Sequence, residues 1–82
     1  MLSDLIIQSD WSDYNVRQSR HIDRFLFNCN EDWEVEYLIE KIKVHGDWPV
    51  AEIRDAINLA CYEELAPRPR ASFIRCVVKI LS

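Results

Sequence analysis

The stretch Asn28-Cys29-Asn30-Glu31-Asp32-Trp33-Glu34-Val35-Glu36-Tyr37-Leu38-Ile39-Glu40-Lys41-Ile42-Lys43-Val44-His45-Gly46 decides the fold class of this chain. Asn28 and Glu31 have the N-x-x-E spacing of a capping box, in which two side chains satisfy exposed first-turn amides. Acids crowd the beginning, and Lys41, Lys43 and His45 lie near the end, which is the arrangement a helix dipole favours. Gly46 supplies the expected C′ residue. At 100° per residue Val35, Leu38, Ile39 and Ile42 share one arc, while Trp33, Tyr37 and Val44 occupy nearly the opposite one. A helix with two apolar faces must be sandwiched within its own domain, against Trp11 or Trp48, or offer one face to another chain.

Working outward, Pro49 suits the first turn of a following helix, with Asp47 or Trp48 as its cap. Val50, Ile53, Ile57, Ala60 and Cys61 line its core face, and Ala56 and Ala60 permit close approach of a neighbour. Upstream, the spacing predicts a helix from Ser12 or Asp13 to Asn28, capped by Asp10 or Ser12. Its core face holds Tyr14, Gln18, Ile22, Phe25 and Cys29, and Arg17, Arg20 and Arg24 form a separate stripe. Ala66-Pro67-Arg68-Pro69-Arg70 breaks the chain, since a proline disfavours the α region in the residue before it. From Ala71 to Leu81 two patterns compete. A helix aligns Ser72, Arg75, Lys79 and Ser82 on a polar strip, whereas a strand puts Ile74, Cys76, Val78 and Ile80 on one face and needs Leu5-Ile6-Ile7 as its partner. The helix is preferred. The expected fold is therefore all-α, one domain over residues 1–82 with four to five short helices; the alternative is α+β with short terminal strands pairing.

The chain is 82 residues long, 49% hydrophobic and 29% charged, with a formal net charge of -4. That balance belongs to a folding globular chain. A single glycine excludes phosphate-cradling and dinucleotide loops, which need glycines in series. Residues 1–41 carry nine acids and four bases, and residues 42–82 five acids and six bases. The three cysteines, Cys29, Cys61 and Cys76, fall in apolar patterns and read as reduced core residues, which with the lack of a leader or membrane segment implies a cytoplasmic location.

Read as N-x-N-E-D-W-E-V-x-Y, residues 28–37 resemble a short bacterial family of unknown function that carries a similar stretch opening a helix. The resemblance implies a bacterial origin and a small helical domain, with no activity attached.

Chemistry-bearing patterns are sparse. Nucleophilic catalysis needs a converging nucleophile, histidine and carboxylate, and His21 and His45 both read as structural. Cys29, Cys61 and Cys76 lack short metal-ligand spacing. The acids at 31, 32, 34, 36 and 40 read as a solvated, dipole-compensating face. No enzyme, metal or cofactor is expected, nor a membrane partner. The expected activity is that of an acidic regulatory or protein-interaction module, an inhibitor being one form, that binds a partner protein or a second copy through Trp33, Tyr37, Val44, Glu36 and Glu40. The alternative is a nucleic-acid-associated regulator using Arg17, Arg20, Arg24, Arg68 and Arg70, although no recognition-helix pattern appears. Otherwise those arginines pair with the acidic helix.

Overall fold

The computed structural model describes residues 2–18 and 25–82, and the chain there is all-α. Five helices follow in order: α1 Leu2–Ile7, α2 Ser12–Arg17, α3 Asp32–His45, α4 Val50–Glu63 and α5 Arg70–Leu81. Helix α3 packs on α1 and α4, and α5 packs on α4 and α1, so four helices ring one core. Among the described residues, strand-like pairing is confined to a single bridge between Leu26 and Pro69. No described helix is long and apolar enough to cross a membrane.

The two C-terminal alternatives separate cleanly. Phe73, Ile74, Val77 and Val78 are buried, at helical spacing, while Ser72, Arg75, Lys79 and Ser82 are exposed. A strand would have faced Cys76 and Ile80 inward with Ile74, and could not have buried the adjacent pairs 73/74 and 77/78 together. The proposed strand partner is helical as well: Ile6 of α1 is fully buried. In α3 the expected arc of Val35, Leu38, Ile39 and Ile42 is core, and in α4 Ile53, Ala56, Ile57 and Ala60 are. Each fully buried aliphatic side chain contributes about 1.5–3 kcal/mol. The ion pair of Arg54 with Glu36 (2.6 Å) is about half exposed on both sides, and such pairs are worth at most about 1 kcal/mol. Apolar burial, not charge pairing, holds α3 to α4.

Several local expectations are corrected. The helix expected from Ser12 to Asn28 ends at Arg17, where Gln18 turns extended (φ -70°, ψ 122°). By Leu26 and Phe27 the backbone pairs with another segment, Phe27 N–H donating to the Arg68 carbonyl (2.8 Å), and the Phe27 ring stacks on Phe73 at 4.5 Å. Tertiary packing overrides the helical periodicity, and Phe25, expected in the core, is 64% exposed. Ile22 and His21 lie outside the described residues. Asp10 and Ser12 do not cap α2 at its N-cap residue, which is Trp11; instead the Asp10 carboxylate accepts from the Ser12 N–H (2.9 Å) and hydroxyl just before it.

Gly46 is extended (φ -153°, ψ 165°) rather than left-handed. Its role is space: a Cβ there would collide with the Trp48 ring. Pro49 stands at the N-cap of α4 rather than inside its first turn, and Val50 is 37% exposed.

The cysteines are also corrected. Cys29 and Cys61 form a disulfide across 32 residues, and Cys76 is a half-buried free thiol. Sequence spacing gave no hint of this bond, because the two positions meet only when the 26–30 segment leaves the helical path. It pins that segment to the end of α4. Closing such a loop lowers the entropy of the unfolded chain, so a Cys29→Ala/Cys61→Ala variant is expected to lose about 3–4 kcal/mol. Urea unfolding with and without reductant checks this: reduced wild type should approach the variant, and a midpoint indifferent to reductant would refute it.

Candidate functional site

The outward face of α3 is built against α2. Trp11 and Tyr14, at the start of α2, meet the two aromatic residues that α3 places one turn apart. Tyr14 lies 5.2 Å from Trp33 and 5.5 Å from Tyr37, and Trp11 lies 5.4 Å from Tyr37, centroid to centroid. Three cations cover this cluster. The Arg17 guanidinium sits 4.3 Å over Trp33, Arg70 sits 4.4 Å over Trp11, and Lys41 lies 5.5 Å from both Trp11 and Tyr37. Lys41 also donates to the Asp10 carbonyl. Cation contacts of this kind are worth about 0.5–1 kcal/mol at exposed sites and more when desolvated. Burial pushes the Arg70 guanidinium and the Tyr37 phenol towards their neutral forms.

Below the cluster sits a carboxylate that the sequence reading placed in solvent. Glu34 is 2% exposed. Its Oε1 accepts from the Asn28 N–H (3.0 Å) and from the Tyr14 hydroxyl (2.5 Å). The hydroxyl is also 2.7 Å from the Leu26 carbonyl; with one proton it donates to one acceptor at a time, and a carboxylate is the stronger. The expected capping box between Asn28 and Glu31 is replaced by this longer reach: α3 begins at Asp32, and its N-cap residue, Glu31, makes no side-chain cap. The Asn28 side chain instead accepts from the Asn30 N–H (2.9 Å). Glu34, in the first helical turn, thus takes the Asn28 N–H that the expected box gave to Glu31, from three residues further along the chain.

All five residues expected to bind protein line one open groove of about 610 Å³. Trp33 and Tyr37 are half-buried and form its floor, and Val44, 78% exposed, closes one end. Glu36 and Glu40 are exposed on its rim. The two further lining residues, Arg17 and Lys41, were assigned by sequence to a phosphate-binding stripe and to dipole compensation. Lys41 was findable, being eight residues after Trp33 on the same face. The position of Arg17 depends on how α2 docks, which nothing in the sequence announces. Trp33 and Tyr37 are therefore both packed and presented: one edge meets Tyr14, the other meets solvent.

Of the residues of the nucleic-acid alternative, Arg17 and Arg68 line one pocket of about 440 Å³, and Arg17 and Arg70 share the aromatic cluster, each of the three engaged within the molecule. Arg17 is on Trp33, and Arg70 is on Trp11 with its Nη1 3.3 Å from Asn15 Oδ1. The Arg68 Nε donates to the Glu64 carbonyl (2.6 Å) and its Nη2 to that of Cys61 (3.3 Å), closing the C-terminus of α4. Arg20 and Arg24 lie outside the described residues. Among the described residues, acidic α3 finds an ion partner in Arg54 of α4. No group of three or more His, Cys, Asp or Glu among the described residues has metal-binding geometry.

Burial, with the Glu34 carboxylate beside it, raises the Tyr14 phenol well above its ordinary value near 10. The folded protein keeps a proton that the unfolded chain releases above about pH 10, so stability from this group is whole below that pH and falls as pH rises past it. Tyr14→Phe leaves the carboxylate short of a donor and is expected to cost about 1–3 kcal/mol at neutral pH. Its alkaline decline should also be flatter than that of wild type; equal slopes in urea titrations at neutral and alkaline pH would contradict this.

Scans against family models and searches of curated proteins and of solved structures gave no match to this chain.

Proposed function

We propose that this protein is a small non-enzymatic interaction module that recognises another polypeptide through the outward face of α3. The observation that carries the reading is the groove itself: Trp33, Tyr37 and Val44 offer apolar area between Glu36 and Glu40 on one side and Arg17 and Lys41 on the other. Aromatic anchors with a charged rim have the make-up of a protein interface, in which the anchors supply most of the affinity and the charges supply orientation. The anchors are also held in place before binding, since Trp33 and Tyr37 are pinned by Tyr14 and by Arg17 or Lys41. Little side-chain entropy is then lost on docking. An inhibitor that lays acidic α3 on a basic surface is one form of this reading. With Cys29 and Cys61 joined, reduced thiols no longer speak for a cytoplasmic location, and the proposal carries no compartment. Nucleic-acid binding is the weaker reading, because Arg17, Arg68 and Arg70 are each committed to packing within the molecule.

Serine at Trp33 or Tyr37 would disturb the packing on Tyr14 as well as any interface, so exposed positions make the better test. A photo-crosslinking residue at Val44 is expected to give a discrete adduct in cells of the source organism, and the same residue at exposed Ser72 on α5 none. Glu40→Arg in the Val44 probe should weaken the adduct. Equal labelling from both positions, or none from Val44, would overturn the reading.

A further inference from the structure

We infer that this protein also binds a small zwitterion, a free α-amino acid, in the pocket shared by Arg17 and Arg68. This pocket of about 440 Å³ lies where the end of α2, the segment leading into α3 and the turn at residues 66–68 meet. Its size is that of a small-molecule site, which is commonly about 300–1,000 Å³. It has only Arg17 and Trp33 in common with the groove on α3. Its walls are tied together before any ligand arrives. The Cys29–Cys61 disulfide, the Phe27 N–H on the Arg68 carbonyl and the stack of Phe27 on Phe73 hold one wall against the other.

Four charged side chains line the pocket among the described residues, two of each sign: Arg17 and Arg68, Glu31 and Glu34. Glu34 is 2% exposed, and both of its hydrogen bonds, from the Tyr14 hydroxyl and the Asn28 N–H, fall on Oε1. A carboxylate offers acceptor sites on both oxygens, and Oε2 has no hydrogen-bond partner among the described residues. A cationic donor entering the pocket would supply a charge-assisted bond there. The arginines supply the opposite need. Arg17 spends the face of its guanidinium on Trp33, and among the described residues its N–H groups make no ion pair or hydrogen bond. Arg68 spends Nε and Nη2 on the last carbonyls of α4 and keeps Nη1. Guanidinium edges of this kind are carboxylate donors.

The balance of charge selects the ligand. A neutral apolar molecule would strip water from four charged groups and return no hydrogen bond. A simple anion would meet Glu31 and Glu34, and a simple cation would meet Arg17 and Arg68, so each gains from one pair and is opposed by the other. A molecule that carries an ammonium and a carboxylate answers both. Its ammonium donates to Glu34 Oε2, its carboxylate accepts from Arg17 and from Arg68 Nη1, and its side chain meets Trp33 and Phe27, which line the same pocket.

Isothermal titration calorimetry of the intact, oxidised chain against each of the standard L-amino acids tests this, with circular dichroism and urea unfolding to confirm the fold of every variant. At least one amino acid should bind. Its N-acetyl and carboxamide derivatives, each lacking one of the two charges, should bind more weakly on the order of tenfold or more. Glu34→Gln keeps an oxygen for the Tyr14 hydroxyl and the Asn28 N–H while removing the charge; it should weaken the parent amino acid to a similar degree and erase its preference over the N-acetyl form. Arg17→Gln should weaken the parent and narrow its preference over the carboxamide. Glu36→Gln, in the groove but outside the pocket, should bind as wild type does. If Glu34→Gln fails to fold, the derivative series on wild type and Arg17→Gln decide. Failure of every amino acid to bind, a derivative that binds as tightly as its parent, or wild-type affinity in Arg17→Gln overturns the inference. The crosslink from Val44 is read independently, so any of these results leaves the interaction module to its own test.

Discussion

A carboxylate with almost no access to water must be satisfied inside the protein, and much of this fold is arranged around that need. Glu34 is that group. Left without donors it would cost more than any surface contact here returns. Among the described residues its donors come from outside α3: the Tyr14 hydroxyl on α2, twenty residues back, and the Asn28 N–H in the segment just before α3. Satisfying Glu34 therefore fixes where α2 lies and how the chain enters α3.

Once Tyr14 is placed by that bond, the rest of the α2 contact follows. Its ring takes one edge of both Trp33 and Tyr37, Trp11 closes on Tyr37, and Arg17, Lys41 and Arg70 settle on the ring faces. Two six-residue helices would be marginal alone. Helix α1 is held by fully buried Ile6, whose carbonyl accepts from the Ser9 hydroxyl and the Trp11 indole N–H. The question whether the second apolar face of α3 is core or interface has a divided answer. Its inner edge is packed by α2, and its outer edge, running to Val44, is the floor of an open groove.

The disulfide and the bridge at Leu26 work together. Phe27 N–H reaches the Arg68 carbonyl, Phe27 stacks on Phe73, and Cys29 joins Cys61, so residues 26–29 are tied to the α4–α5 corner at three points. Arg68, at the same corner, donates to the last carbonyls of α4. This corner and the Glu34 site both hold the segment, the one at Phe27 and Cys29 and the other at Asn28, and together they keep it off the helical path.

Residue spacing by itself determined the helical class and the buried arcs of α3 and α4, and it favoured helix over strand for residues 71–81 while the strand pattern stayed open. These follow from the 3.6-residue period and from which side chains water rejects, both local properties. Tertiary structure alone decided where α2 stops, that Glu34 is buried while Glu36 and Glu40 are not, that Gly46 makes room for Trp48, and that Cys29 and Cys61 are bonded. Apart from the Gly46 contact, each depends on a partner far along the chain: Arg68 and Phe73 for Phe27, Tyr14 for Glu34, Cys61 for Cys29. A helical wheel records the angle at which a side chain leaves its own axis; what stands opposite is set only when the helices close on one another.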